Sequence, residues 1–457
     1  MNLLDTLKIL FKMFRKYRLH ISLLAVLGVV SALLEGIGIN AVIPLLSSFM
    51  GGGASAADGI SHLIENVFSY FGIPFTFRYL LGLILGLFLV RAVAMVAFSY
   101  VRGWISADFL YVESTGLLRR TLFASWPFLL KQKMGTLQNT LVRDIQRSAT
   151  LLEIIGQIIQ SFGGFIVYLL VALNISFNTT LYTIGAGVVL VFFIRPFIRK
   201  TQVVGEKAVR VEKAYAHFLS EHIIGMKSVK AAGVEEAALL GGNKELGEQR
   251  DLSLRLAIIR ATSGSFFQPF TLIFVVVLFL LTSSSPSFSI ISFIAALYLI
   301  QKIFTYLESG MNALHSFGEL TPYARNLTDF TNLTDEHREQ KVTGTQPLVF
   351  EHMLEFKNVS FSYGDTEVLK NVSFTLPKGS TLGFIGPSGA GKTTTADLLL
   401  RLFTPTSGTI TVDGLALDEV SIENWLQCPL RSCSDYRNVY FLRDSHSEEK
   451  HPEKHSR

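Results

Sequence analysis

The chain has 457 residues, 49% of them hydrophobic and only 17% charged, with a mean hydropathy of +0.40. An ordinary soluble domain carries about 25% charged residues, so these proportions exclude a plain soluble enzyme and a disordered chain and point to an integral membrane protein. The net charge of +5 is small for this length, and a membrane protein gathers Lys and Arg on its cytoplasmic side, so no nucleic-acid partner is called for.

Six apolar stretches follow in chain order, at residues 21–46, 79–101, 151–173, 181–198, 266–281 and 288–303. Each is near the ~20 residues with which an α-helix crosses a ~30 Å hydrocarbon core, and the short ones extend into their flanks. The first is too long for a cleaved leader and five more follow it, so it reads as a span. Lys8, Lys12, Arg15, Lys16 and Arg18 precede it, whereas residues 51–77, 174–180 and 282–287 hold no Lys or Arg. The connectors after the second and fourth stretches are rich in both, from Arg102 to Arg147 and from Arg199 to Lys230. Basic residues stay in the cytoplasm, so both termini and both long connectors are expected there. The composition of these connectors is helical. They read as helices leaving the membrane to meet another domain, or as two peripheral helical hairpins.

Several polar side chains interrupt the spans: Glu35, Arg91, Gln157, Gln160, Gln268, Gln301 and Lys302. A charge inside a membrane is costly and by default marks a functional position. Arg91 lies about 18 Å into its span at 1.5 Å per residue. It either meets an anionic substrate group, pairs with Glu35, or lines a wet cavity. Arg91 and Glu35 are therefore the substrate-site candidates. Pro44 and Pro269 are expected to kink or end their helices.

Beyond residue 320 the chain turns polar, as the end of a helix followed by a linker. Leu354, Phe356, Val359, Phe361 and Tyr363 form a strand pattern with one irregularity. Residues 368–376 form a second apolar segment, Pro377-Lys378-Gly379 a turn, and 381–385 a short buried strand. Gly386-Pro387-Ser388-Gly389-Ala390-Gly391-Lys392-Thr393 comes next, and 394–403 reads as a helix. This is G-x-x-x-x-G-K-[ST] between a strand and a helix, a P-loop. Its glycines let backbone N–H groups curl around phosphate oxygens, and the following helix N-terminus adds its dipole. Lys392 is expected to reach the β- and γ-phosphates of ATP, and Thr393 to offer its hydroxyl to Mg²⁺, with Thr394 beside it.

The run Phe361-Ser-Tyr-Gly, followed by GFIGPSGAGKTTTADLLLRLFTPTSGTITVDG, resembles the start of an ABC-transporter nucleotide-binding domain. Six preceding spans with two long connectors resemble an exporter-type half-transporter. The resemblance implies a helical transmembrane bundle of six spans with long cytoplasmic extensions, then a partial α/β P-loop nucleotide-binding domain. The expected divisions are 1–320 transmembrane, 321–350 linker, 351–425 nucleotide-binding and 426–457 an atypical tail. The resemblance also implies a homodimer or heterodimer with another half-transporter in the lipid bilayer of a plasma (inner) membrane, with ATP and Mg²⁺ as cofactors. It implies ATP-driven export or flipping of a substrate such as a lipid or lipid-linked molecule. Tyr363 would stack on the adenine ring, or serve simply as a packed strand aromatic. Segments 126–135 and 219–236 resemble the family's coupling helices.

The family's signature motif, Walker B carboxylates and switch histidine cannot be placed in this sequence. Leu415-Ala416-Leu417-Asp418-Glu419 has a Walker B form, but it follows Lys392 too closely and reads as a surface loop. Gln427 is a weak glutamine-loop candidate. After Trp425 the character changes, with both cysteines of the chain, Cys428 and Cys433, in a tail without helical or strand period. So late a pair offers no disulfide framework and sets no redox compartment. The tail reads as a frameshifted or truncated frame, or as a divergent end. Codons for residues 429–432, read one base along, can spell Pro-Tyr-Val-Pro, close to the family's glutamine-loop sequence. The Cys and His spacings fit no zinc pattern. The functional alternative is a non-catalytic membrane remnant that at most binds nucleotide or a partner subunit.

Overall fold

The computed structural model describes residues 13–41, 76–283, 290–339 and 350–422, with a few isolated positions beside them. Pro44, residues 340–349 of the linker, Gln427 and both cysteines lie outside the described residues. The chain divides into two compact units. One holds residues 1–120 and 133–333, the other 121–132 and 334–457.

The first unit is helical. Helix α1 spans Arg18–Asn40 and α2 spans Phe77–Leu122. The first long connector carries two short helices at its tip, α3 (Trp126–Lys131), which counts with the second unit, and α4 (Met134–Asn139). Next come α5 (Ile145–Ile175) and α6 (Phe177–Ile224). The second connector turns through the short α7 (Met226–Ala232) into α8 (Glu235–Ser265), α9 (Phe267–Ser283) and α10 (Ile290–Glu336). The connectors are thus continuations of the spanning helices, as their composition predicts. The short helices α3 and α7 fall inside the two segments expected to couple.

Among the described residues, five helical stretches are long and apolar enough to cross a membrane: Arg15–Ile39, Phe77–Leu122, Met134–Asn174, Phe177–Ile224 and Glu235–Ser283. The sixth expected span, 288–303, begins outside the described residues and continues as the first turns of α10. Pro269 sits in the first turn of α9, just after the break at Phe266, where its missing N–H costs nothing.

Helix α10 is the spine of this unit. One side packs Leu299 and Ile303 against Ala32 of α1 and Val167, Tyr168 and Val171 of α5. Another packs Ile300, Phe304 and Met311 against Leu190 and Ile194 of α6 and Phe267 and Leu278 of α9. In lipid such contacts are held by close packing and hydrogen bonds, because the solvent is as apolar as the side chains. Gly164 shows how close the approach is: a Cβ there would lie 2.3 Å from the Tyr306 ring. Farther along, His315 accepts and donates between Thr201 Oγ1 at 2.8 Å and Ser263 Oγ at 2.9 Å, tying α10 to α6 and α8.

One boundary needs correction. The polar run after residue 320 is not linker at its start, because α10 continues to Glu336. Leu320, Tyr323, Ala324, Leu327 and Phe330 are all buried, at the three- and four-residue spacing of one helix face. The mainly polar composition hides that stripe. Pro322 lies within the helix without ending it.

In the second unit, β1 (Met353–Tyr363) pairs antiparallel with β2 (Thr366–Pro377) and with β3 (Ser407–Val412). The short β4 (Leu415–Ala416) completes the order β2-β1-β3-β4. The irregularity read in β1 is a run of register shifts between Phe356 and Ser362, with Asn358 at φ +48°. Leu354, Phe356, Val359, Phe361, Leu369, Ile410 and Val412 form the core. Helix α11 (Lys392–Leu399) closes it through Leu398. Asp418 and Glu419 are exposed in a turn after β4, as a surface loop should be.

Two expectations fail here. Residues 381–385 are not a strand, and Ile385 is 87% exposed. An interior parallel strand needs ladder partners on both sides, and no described residue supplies one. Helix α11 ends at Leu399 rather than Phe403, and Arg401 takes φ +55°. Its guanidinium donates to Val420 O at 2.7 Å, while Trp425 Nε1 donates to Leu399 O at 2.8 Å.

Candidate phosphate-binding loop and intramembrane charge cluster

The P-loop runs from Gly386 to Thr394. Gly389 and Gly391 take φ +86° and +81°, values that side chains with a Cβ rarely adopt. At Gly391 space matters as well: a Cβ would meet Leu369 Cδ2 at 2.5 Å. Ala390 N donates to Pro387 O at 3.2 Å, which folds Pro387-Ser388-Gly389-Ala390 into a turn. Gly391 caps α11, and its carbonyl accepts from Thr395 N at 2.9 Å and Thr395 Oγ1 at 3.0 Å. The first N–H groups of α11 are those that no carbonyl of the helix itself can satisfy. Lys392 bends over the loop, its Nζ 2.6 Å from Gly386 O and 2.9 Å from Pro387 O. Those carbonyls hold the ammonium above the cradle.

Tyr363 ends β1 beside this loop. Its ring meets Phe361 and Phe403 edge-on, with centroids 4.9 and 5.2 Å away. Its hydroxyl lies 3.5 Å from Thr394 Oγ1, and 41% of the residue is exposed. Thr393 is exposed, and Thr394 is buried under the helix. The donors, the cation and the half-open aromatic fit a nucleoside triphosphate. The Thr393 hydroxyl is the group that would hold Mg²⁺, which would supply charge neutralisation for the phosphates. No cluster of three His, Cys, Asp or Glu side chains able to hold a metal occurs among the described residues.

The second constellation lies among the spans. Glu35 is 2% exposed. Arg91 Nη2 lies 2.9 Å from its Oε2, and Lys302 Nζ lies 2.8 Å from its Oε1. Tyr306 donates its hydroxyl to Oε2 at 3.1 Å. Of the three roles open to Arg91, the structure displays pairing with Glu35. It adds two residues that the sequence did not join to the pair, Lys302 and Tyr306. Lys302 was visible as a cation beside a span, and its register on α10 puts Tyr306 one turn further on the same face. Nothing in the sequence indicated that this face meets α1. Two cations on one carboxylate leave a net charge of +1. Arg91 also lies 5.8 Å from the Phe88 ring centroid, and Lys302 5.6 Å from that of Tyr298.

A P-loop that follows a set of membrane-length apolar helices in the same chain marks a nucleotide-binding membrane protein. The model of the ABC transporter transmembrane region matches residues 23–306, and that of the ABC transporter domain matches residues 369–442. The chain belongs to the ABC transporter family, with its transmembrane region fused ahead of an ATP-binding domain as in exporter-type half-transporters. The second match runs past Trp425. The ATP-dependent lipid A-core flippase of Burkholderia thailandensis is 26% identical over 383 residues, covering 79% of this chain and 62% of that protein. The flippase of the same name from Photobacterium profundum is 22% identical over 438 residues, 92% of this chain and 70% of its own. A multidrug resistance ABC transporter ATP-binding and permease protein of Lactococcus lactis is 24% identical over 301 residues, 64% of this chain and 50% of its own. The chain thus spans 62% of the flippase from Burkholderia thailandensis.

Proposed function

We propose that the chain is a half-transporter that couples ATP binding to the export or flipping of an amphipathic, lipid-like substrate, acting as a homodimer or heterodimer. The P-loop geometry carries this reading: a glycine-shaped turn leading into a helix N-terminus, Lys392 poised over the loop and Tyr363 at its edge. ATP lies with its phosphates on Gly386, Pro387, Ser388, Gly389, Ala390, Gly391, Lys392, Thr393 and Thr394, its adenine on Tyr363 and Mg²⁺ on Thr393. Both termini lie in the cytoplasm. The lipid-like substrate rests on the flippase names of its relatives and on the cationic surplus around Glu35, which suits an anionic head group near Arg91.

A second reading, a non-catalytic subunit that binds nucleotide or a partner, is favoured by one observation. No described residue is placed to orient an attacking water, and hydrolysis needs one besides the phosphate cradle. ATP turnover by the purified 457-residue chain separates the two. Turnover above ~1 s⁻¹, the low end of ordinary enzyme rates, supports the transporter, and slower turnover supports the non-catalytic subunit. Faster turnover makes the chain a hydrolase and returns Asp418, Glu419 and Gln427 to consideration.

A further inference from the structure

Tyr363 is the most open member of a set of three rings. Phe361, two residues before it on β1, is 5% exposed, against 41% for Tyr363. Phe403 is half-buried and comes from the turn after α11. The three centroids lie 4.9–5.2 Å from one another. Phe361 and Phe403 stand at 89° and 90° to the plane of Tyr363. Such packing is directional, because the positive edge of one ring meets the negative face of another. Two perpendicular neighbours therefore set the plane of the Tyr363 ring. Its hydroxyl, 3.5 Å from Thr394 Oγ1, adds only a long third contact.

Phe361 shares a strand with Tyr363, whereas Phe403 has to be brought to it. At the end of α11, Leu402 N donates to Asp397 O at 2.9 Å and Arg401 N to Leu398 O at 3.0 Å. These two bonds close around the left-handed Arg401 and turn the chain out of the helix. Thr406 then fastens the segment to β1. Its N–H donates to Ser360 O at 2.9 Å, and its Oγ1 accepts from Ser362 N at 3.2 Å. Those bonds flank Phe361, and the short turn between Arg401 and Thr406 carries Phe403 onto the Tyr363 ring.

A platform for a flat base gains affinity when its plane is set before the base arrives, since ordering a side chain on binding is costly. With Tyr363 as the adenine platform, the reading on which this rests, we propose that Phe403 is a positioning residue for the nucleotide. It holds the Tyr363 ring in the plane on which the base stacks and itself touches no part of the nucleotide.

Equilibrium binding of two Mg²⁺-loaded ligands to the full chain tests this: the non-hydrolysable ATP analogue AMP-PNP, and inorganic tripolyphosphate, which has the phosphates and lacks the base. Tyr363→Ala should weaken AMP-PNP at least ~fivefold, the lower end of base–aromatic stacking, and leave tripolyphosphate unchanged. Phe403→Ala and Phe403→Leu should weaken AMP-PNP about two- to tenfold, the worth of an aromatic pair, again with tripolyphosphate unchanged. Phe403→Tyr keeps the perpendicular ring and should bind both ligands as the wild type does. Tyr363→Ala/Phe403→Ala should bind AMP-PNP no worse than Tyr363→Ala alone, because the two residues act as one. Wild-type AMP-PNP binding by Phe403→Leu, beside a weakened Tyr363→Ala, overturns the proposal and leaves Tyr363 as the platform. Equal weakening of both ligands in Phe403→Leu makes Phe403 a core residue only and also overturns it. Undiminished AMP-PNP binding by Tyr363→Ala removes the platform, and the role of Phe403 with it.

Discussion

Glu35 and Lys302 stand 267 positions apart in the chain and 2.8 Å apart in the fold. The contact fixes α1 against α10 with Arg91 of α2 on the same carboxylate, so three helices share one buried charge. In lipid such a cluster is costly to assemble and costlier to break, because each ion left alone keeps its desolvation penalty.

Glu35→Gln therefore leaves Arg91 and Lys302 facing each other without a counter-charge. The expected loss is about 2–3 kcal/mol, below the 3–5 of a fully buried pair, since the two cations keep 26% and 29% exposure. Thermal unfolding in detergent measures it. The Glu35→Gln/Lys302→Met double variant should recover part of the loss, and a double variant less stable than the single one would contradict the account.

Lys392→Ala removes the only ammonium held over the P-loop among the described residues. Photolabelling by an ATP analogue should fall to background in the variant. Equal labelling of both chains would refute the assignment of the loop as a nucleotide site.

Acid should weaken the second unit through Asp413. Its carboxylate accepts from the backbone N–H groups of Glu351, His352 and Met353 at 2.5, 3.0 and 2.7 Å. Burial raises its pKa, but those donors, with His352, outweigh it and leave the carboxyl below the usual carboxylate range. A depressed native pKa means that the unfolded chain binds more protons. The stabilisation is complete above the unfolded pKa of about 3.9 and is lost as pH falls through the native value. Asp413→Asn should flatten stability against pH below about 4 in acid-unfolding curves, whereas unaltered curves would show that the carboxylate plays no such part.

Topology is open to cysteine labelling in intact cells, with Cys428 and Cys433 first replaced by Ser. Ser55→Cys should react with an impermeant reagent from outside, and Ser380→Cys should not. The opposite pattern would invert the expected orientation.

The sequence alone determined the division into spanning helices and a P-loop unit, because hydropathy over some twenty residues and the glycine-lysine spacing are local properties. It also located Glu35, Arg91 and Lys302 as anomalous charges. Which of them meet was decided only by the tertiary structure, since the pairing depends on how α1, α2 and α10 rotate about their axes, and in uniformly apolar helices no periodic stripe reports that rotation. The stretch 381–385 failed for a related reason. Its residues have the character of an interior strand, but a strand exists only through its partners' hydrogen bonds, and these no local segment can supply. The extension of α10 to Glu336 was hidden differently: its buried face is a narrow stripe inside a polar run, legible once the neighbouring helices show which side is inward.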